Sequence, residues 1–413
     1  MKLTRDLKRA GDQIELLNFY KMKEGNLVEK LQSLKFFEDI MEKPQNELVD
    51  KAIAQGRTAI GYNCYVVPEP LISAGNLFPL WMRAPEVKST PEADYALSNL
   101  LCSYSKSLLQ AGIDGEFDFL GAMVFAPSCD HIRRAGQHFE IQNCIPNNEK
   151  FFVYMIDTSN KVNDAGIAWL VKDLKKLSAK LNETYNANIT EETLTKSIKD
   201  LNEFNKLMQS IADMRKGNEP KITGTEFHTV FGATRVAPKD MLIEPLKKLK
   251  AELETRKSVA GDAVRLMLVG PVFDSPEFTE LVEAQGALVV ADRYCFGSLP
   301  GMEPIPEEGD PYTNMARHYM ETCQCARMMG QGQDRVNYSK KVAREYGVEG
   351  IIFETMKFCD LWSYEGITYI DHLKESGIPV VKIEREYAIT GEGQIRTRIQ
   401  AFLESIKARR EQN

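Results

Sequence analysis

The chain has 413 residues, of which 43% are hydrophobic and 27% charged, with a formal net charge of -7. This is globular composition at a length for two or three domains, each able to bury a core without disulfide or zinc staples. With 52 Lys and Arg against 59 Asp and Glu, no basic surplus exists for nucleic-acid binding.

The opening stretch MKLTRDLKRAGDQIELLNFYK has a charge every few positions and no apolar core of a secretory signal. No later run approaches the roughly 18 apolar residues of a membrane span. A cytoplasmic protein is expected. In a reducing compartment its eight cysteines are not a disulfide framework, and the question is which of them bind metal.

Residues 1–57 scatter Leu16, Leu17, Phe19, Leu27, Leu31 and Leu34 among charges, which predicts a helical segment packed on something else. From Thr58, TAIGYNCYVVPEPLISAGNLFPLWM reads as strand, turn, helix and a further apolar run. FLGAMVFAPSCD (119–130) and FFVYMIDT (151–158) add two buried strands. Together these predict a first α/β domain over 58–159 with a parallel sheet. Residues 160–261 are rich in Lys, Glu, Leu and Asn at helical spacing, and Thr190-Glu191-Glu192 marks a helix start, so a helical connector is expected. Strands resume in AVRLMLVGPVFD (263–274), GALVVAD (286–292), GVEGIIFETMKFCD (347–360) and IPVVKIERE (378–386). Helical segments separate them, which predicts a second parallel α/β domain over 262–413. The sequence shows no repeat of 20–50 residues.

The thiols are Cys64, Cys102, Cys129, Cys144, Cys295, Cys323, Cys325 and Cys359. Cys129, Cys295 and Cys359 lie beyond the carboxyl ends of predicted strands, where open parallel sheets bind ligands. Cys64 falls in the turn after the first strand, Cys102 in LLCSYSKS, and Cys323 and Cys325 form a C-x-C pair. Any one of them reads equally as an inert buried thiol; three placements at strand ends argue for a site. The paired C-x-x-C knuckles of zinc sites are absent. Single cysteines converging from loops of two domains fit an iron–sulfur site at a domain interface.

The phosphate loop, the dinucleotide glycine fingerprint and the G-x-S-x-G elbow are all missing, so the chain is not expected to hydrolyse ATP itself. Glu69, following Pro68, and His131, in CDHIRRAGQHFE, are candidate proton donors. An exposed capping carboxylate and a solvated helix histidine are the equal alternatives. His138, Arg133 and Arg134 read first as helix solvation and salt bridges. The GEGQ turn (391–394) ahead of a helix is explained by capping as well as by anion binding.

GYNCYVVPEPLISAG, LCSYSKS, PSCDHIRR, ADRYCFG, CQCARM, GVEGIIFETMKFCDLWSYE, IPVVKIERE and GEGQIRTRIQAFLE occur in order over 58–158 and 262–405. They resemble the signatures of the 2-hydroxyacyl-CoA dehydratase and benzoyl-CoA reductase component family. The resemblance implies two Rossmann or flavodoxin-like domains with an iron–sulfur cluster between them, fed single electrons by a separate ATP-hydrolysing iron–sulfur activator. It also implies that Cys102, Cys129 and Cys359 hold one [4Fe–4S] cubane. The surplus thiols resemble most the double-cubane branch, whose [8Fe–9S] cofactor takes six cysteines. The second cubane then falls to Cys64, Cys295 and Cys323, with Cys325 the substitute for Cys323 and Cys144 left out. The implied function is the catalytic component of an ATP-dependent, oxygen-sensitive, low-potential reductase of small molecules, working as a homodimer. The alternative is one subunit of a heterodimeric (R)-2-hydroxyacyl-CoA dehydratase with one [4Fe–4S] cluster acting through a ketyl radical. A third reading is an electron carrier with no substrate of its own.

Overall fold

A computed structural model describes residues 19–21, 27–298, 302–323 and 325–412. Strands β1 (Phe19–Lys21) and β2 (Leu27–Glu29) pair antiparallel, with Tyr20 opposite Val28. This corrects the expectation of helix throughout 1–57: aromatic and β-branched residues favour the extended pairing there. Helices Leu34–Met41 and Glu47–Ala54 follow, while Leu16 and Leu17 lie outside the described residues.

The first sheet contains β3 (Thr58–Asn63), β4 (Leu77–Trp81), β5 (Ala122–Phe125) and β6 (Phe152–Met155) in the order β4-β3-β5-β6, all parallel. Its three runs β3, β4 and β5 are apolar and almost wholly buried, without polar alternation, as expected for strands covered on both faces. The second sheet contains β7 (Val264–Val269), β8 (Ala287–Arg293), β9 (Gly350–Met356) and β10 (Val380–Arg385) in the order β8-β7-β9-β10, again all parallel. The chain is thus an α/β fold of two domains with the same strand order twice, although the sequences do not repeat. In each sheet the winding reverses between the first and third strands. The crevices outside the carboxyl ends of β3 and β5, and of β7 and β9, are therefore the topological switch points where ligands bind.

Between the sheets run helices Asp164–Tyr185, Glu191–Ala212, Gly224–Ala233 and Ile243–Thr255. Leu170, Leu174, Leu177 and Leu181 form the fully buried stripe of the first. Thr190 and Thr193 cap the second reciprocally. Among the described residues no helix is long and apolar enough to cross a membrane.

Candidate metal centre

Six of the eight thiols line one cavity between the sheets: Cys64, Cys102, Cys129, Cys295, Cys325 and Cys359. Its empty space, measured out to the mouth, is about 710 Å³. Pro271 and Val272, just past β7, complete the wall at the second switch point. Cys129 and Cys359 are half-buried and the other four are buried. Their mutual influence sorts them into two groups of three. After burial, Cys129 is raised by Cys102 and Cys359, whereas Cys295 is raised by Cys325, Cys64 and Cys323. Cys359 also feels Cys325, so the groups adjoin. Each group draws on both domains, two and one in the first, one and two in the second. Cys323 is buried beside Cys325 but does not line the cavity. Cys144 is influenced by burial and Asp118, and by none of the other thiols.

Local structure explains these positions. Cys102, Cys129 and Cys359 are the N-caps of helices Ser103–Ile113, Asp130–Ile141 and Asp360–Glu375, and none spends its side chain as a cap. The unpaired N–H groups and positive end of a first helical turn stabilise a thiolate. Cys64 follows the last residue of β3 at φ +81°, and Phe358, just before Cys359, has φ +66°. The other non-glycine residues at positive φ among the described residues are three asparagines, which tolerate it. A Cys and a Phe there hold on the order of 1–3 kcal/mol of backbone strain each, the kind that clusters at functional sites.

The Cys295 turn is pinned by Asp292, whose carboxylate accepts from Ser298 N (2.6 Å) and Ser298 Oγ (2.9 Å) and pairs with buried Arg215 (2.9 Å). Although burial opposes it, His228 and Arg215 keep that carboxyl well below its usual range. Gly297 approaches so closely that a Cβ would stand 2.2 Å from Asp292 Oδ2. Cys325 is fixed through its carbonyl, which accepts from Arg335 Nη1 at 3.2 Å while the same guanidinium grips Glu365 at 2.6 and 2.8 Å. The two walls are tied together as well. Ser103 Oγ donates to Glu386 (2.7 Å) and accepts from Tyr387 N (2.9 Å), and the Tyr65 and Thr322 hydroxyls bond at 2.8 Å.

Among the described residues, no three His, Cys, Asp or Glu side chains converge on a single ion position; the thiols surround a space rather than a point. Tetrahedral zinc needs its sulfurs about 2.3 Å from one centre. An iron–sulfur group, which places each thiolate on a different iron, suits thiols spread around a cavity. Burial pushes Cys359 up to about 12 and raises Cys102, Cys129, Cys295 and Cys325 too. Bare, these are neutral thiols; a bound cation deprotonates them. Near Cys325 sits Arg327, only 4% exposed, whose Nη1 donates to Asn160 Oδ1 (2.9 Å) and whose Nε and Nη2 have no oxygen acceptor among the described residues. An unmatched buried charge is costly. Donor set and guanidinium both fit an anionic metal–sulfur group in the cavity.

The two expected proton donors part company. His131 lines the thiol cavity; its Nδ1 accepts from Cys102 N at 3.2 Å and its Nε2 stands 3.8 Å from Asp360. Burial lowers its pKa although Asp360 opposes this. Glu69 instead begins the short helix Glu69–Ile72 and lines a different cavity with Tyr62, Arg235, Lys239, His318 and Tyr319. Burial would raise its pKa, but Lys239 (2.8 Å) and Arg235 (3.2 Å) bring it down to about 2. It is neither an exposed cap nor an acid with a proton to give at neutral pH. Sequence reasoning passed over Arg327, Asp292 and Tyr65. The sole signal was adjacency, since Arg327 follows Cys325 by two positions and Asp292 precedes Cys295 by three.

The profile of the family described as 2-hydroxyglutaryl-CoA dehydratase, D-component, matches residues 64–406. The chain belongs to this family. The match spans all eight cysteines. Similar proteins include the (R)-phenyllactyl-CoA dehydratase beta subunit of Clostridium sporogenes, 26% identical over 370 residues, covering 90% of this chain and 97% of the relative. The benzoyl-CoA reductase of Thauera aromatica has a component that is 25% identical over 358 residues, 85% of this chain and 91% of its own. The beta subunit of the (R)-2-hydroxyglutaryl-CoA dehydratase of Acidaminococcus fermentans is 22% identical, covering 90% and 98%. The family's relatives are thus components of dehydratases and of a reductase, and the chain is an enzyme component of that kind.

Proposed function

We propose that the chain is the catalytic iron–sulfur component of an ATP-dependent, two-component, low-potential reductase, and that its cavity holds a double-cubane [8Fe–9S] cluster. The six-thiol wall carries this reading, in a family whose members hold iron–sulfur clusters. Cys102, Cys129 and Cys359 serve one cubane, and Cys64, Cys295 and Cys325 the other. Cys325 takes the position that the C-x-C spacing left open, because it lines the cavity and Cys323 does not. When bound, the group supplies low-potential electrons for a small multiply bonded molecule.

The chain's own residues bind the group, exclude water and order a proton. Helix N-caps and the pinned turns aim the six sulfurs inward. Because His131 Nδ1 accepts from Cys102 N, the neutral ring carries its proton on Nε2, on the side of Asp360 at the cavity wall. Single electrons come from a separate ATP-hydrolysing activator, since the sequence has no phosphate loop of its own. The chain pairs with a second copy, each copy bringing a full set of six thiols.

The second reading, one half of an (R)-2-hydroxyacyl-CoA dehydratase with one [4Fe–4S] cluster, is favoured by the dehydratase components among the relatives. It leaves three wall thiols without a metal to bind. Iron and acid-labile sulfide per chain, measured on anaerobically purified protein with electron paramagnetic resonance after reduction, separate the two. About eight irons are expected; about four would transfer the chain to the dehydratase reading, and none after reconstitution would sink both.

A further inference from the structure

We propose that Arg327 sets the reduction potential of the half of the cofactor held by Cys64, Cys295 and Cys325, and leaves the other half untouched. This rests on the two-cubane reading above. The two groups of thiols are offset by different positive devices. Cys102, Cys129 and Cys359 each cap a helix of eleven or more residues. Cys64 and Cys295 lie in turns after β3 and β8, and Cys325 lies in the segment between helices Pro311–Glu321 and Gly332–Tyr346, so none of the three caps such a helix.

Arginines take over there. Arg335 touches Cys325, but Glu365 matches its charge. Arg293 acts on Cys295 and is held against the Trp362 and Tyr369 rings, at 5.5 and 5.4 Å. Arg327 is different: it is buried, it forms no ion pair among the described residues, and its hydrogen-bond partners are neutral, the Asn160 amide and the Cys323 thiol. The sulfurs it acts on are those of Cys64, Cys323 and Cys325. A guanidinium keeps its charge even when buried, so it requires an anion, and the cofactor half beside it supplies one.

Taking up one electron from an external donor lowers the net charge of that half by one and makes or breaks no bond. A fixed cation in a low-dielectric wall favours this step. The effect is local, because the sulfurs that act most on Arg327 are those of Cys64, Cys323 and Cys325.

The test is a potentiometric titration of the iron-loaded protein, reduced with titanium(III) citrate and followed by electron paramagnetic resonance, in wild type, Arg327→Gln and Arg327→Lys. In Arg327→Gln one of two reduction steps becomes about tenfold harder, 59 mV more negative for one electron, and the other stays in place. Arg327→Lys keeps the charge and holds both steps within that tenfold. Equal movement of both steps, or of neither, overturns the proposal. Should Arg327→Gln fail to retain its iron, Arg327→Met removes the same charge and is read in the same way. Asp360→Asn removes an exposed carboxylate beside the other group, and is expected to ease only the step that Arg327 does not control; easing of the Arg327 step instead counts against the assignment. Failure of the underlying reading looks different, since wild type would then carry about four irons and show a single step.

Discussion

Replacing Glu69 with Gln removes the carboxylate that stands between Lys239 and Arg235. Its folded pKa of about 2 lies below the ordinary 4.5, and at 1.36 kcal/mol per pKa step the difference is worth about 3 kcal/mol of stability. Because the folded value is the lower one, that contribution is fully present above pH 4.5 and is lost as pH falls toward 2. The side chain is only 7% exposed, so solvent screening takes little from it. In the variant Arg235 keeps its charge and stands beside Lys239 without the carboxylate that joined them. Anaerobic urea unfolding should show Glu69→Gln destabilised by about 3 kcal/mol at pH 7, and by the same amount at pH 6 and pH 8. Iron content should hold, because Glu69 lines a different cavity from the thiols. A loss under about 1 kcal/mol would refute the electrostatic account. A shifted pH profile of substrate reduction between pH 6 and 8 would return Glu69 to the role of proton donor.

Iron analysis of single Cys→Ser variants should show partial loss at Cys64, Cys325 and Cys359 and full retention at Cys323 and Cys144; equal loss at Cys323 and Cys325 would undo the choice between them. Asp292→Ala strands the buried Arg215, so a fall of roughly 3–5 kcal/mol is expected in urea unfolding, and an unchanged midpoint would dismiss the pinning of the Cys295 turn. Burial raises Asp274 to about 6, even with Arg83 and Tyr387 beside it. Its folded value therefore exceeds the unfolded one, and stability should drop by about 1 kcal/mol as pH rises from 5 to 7. Asp274→Asn should flatten that slope, and an identical slope in the variant would exclude this carboxyl as its source.

The eight strands of the two sheets were legible because most are short apolar runs buried on both faces. Their order was not, since pairing depends on where each crossover lands. Cys129, Cys295 and Cys359 could be placed from sequence because a strand end precedes each. Spacing alone could not place Cys102 and Cys325, and only the family resemblance named Cys102: one caps a helix after a loop, and the other lies between two helices, where spacing says nothing about which thiol of a C-x-C pair turns inward. Glu69 stands five residues from Cys64, but the turn at Cys64, closed by the bond from Val67 N to Cys64 O at 3.2 Å, carries it to the side of the connecting helices. β1 and β2 escaped notice because three-residue strands are too short to show alternation.

The crossed origin of the thiols, with each group of three recruited from both domains, limits how such a chain can diverge. Neither domain is a portable metal-binding module that duplication or exchange could move into another protein. On the two-cubane reading, a lineage gains a cubane only through matched changes on both sides of the cleft, so the two halves are inherited as a unit.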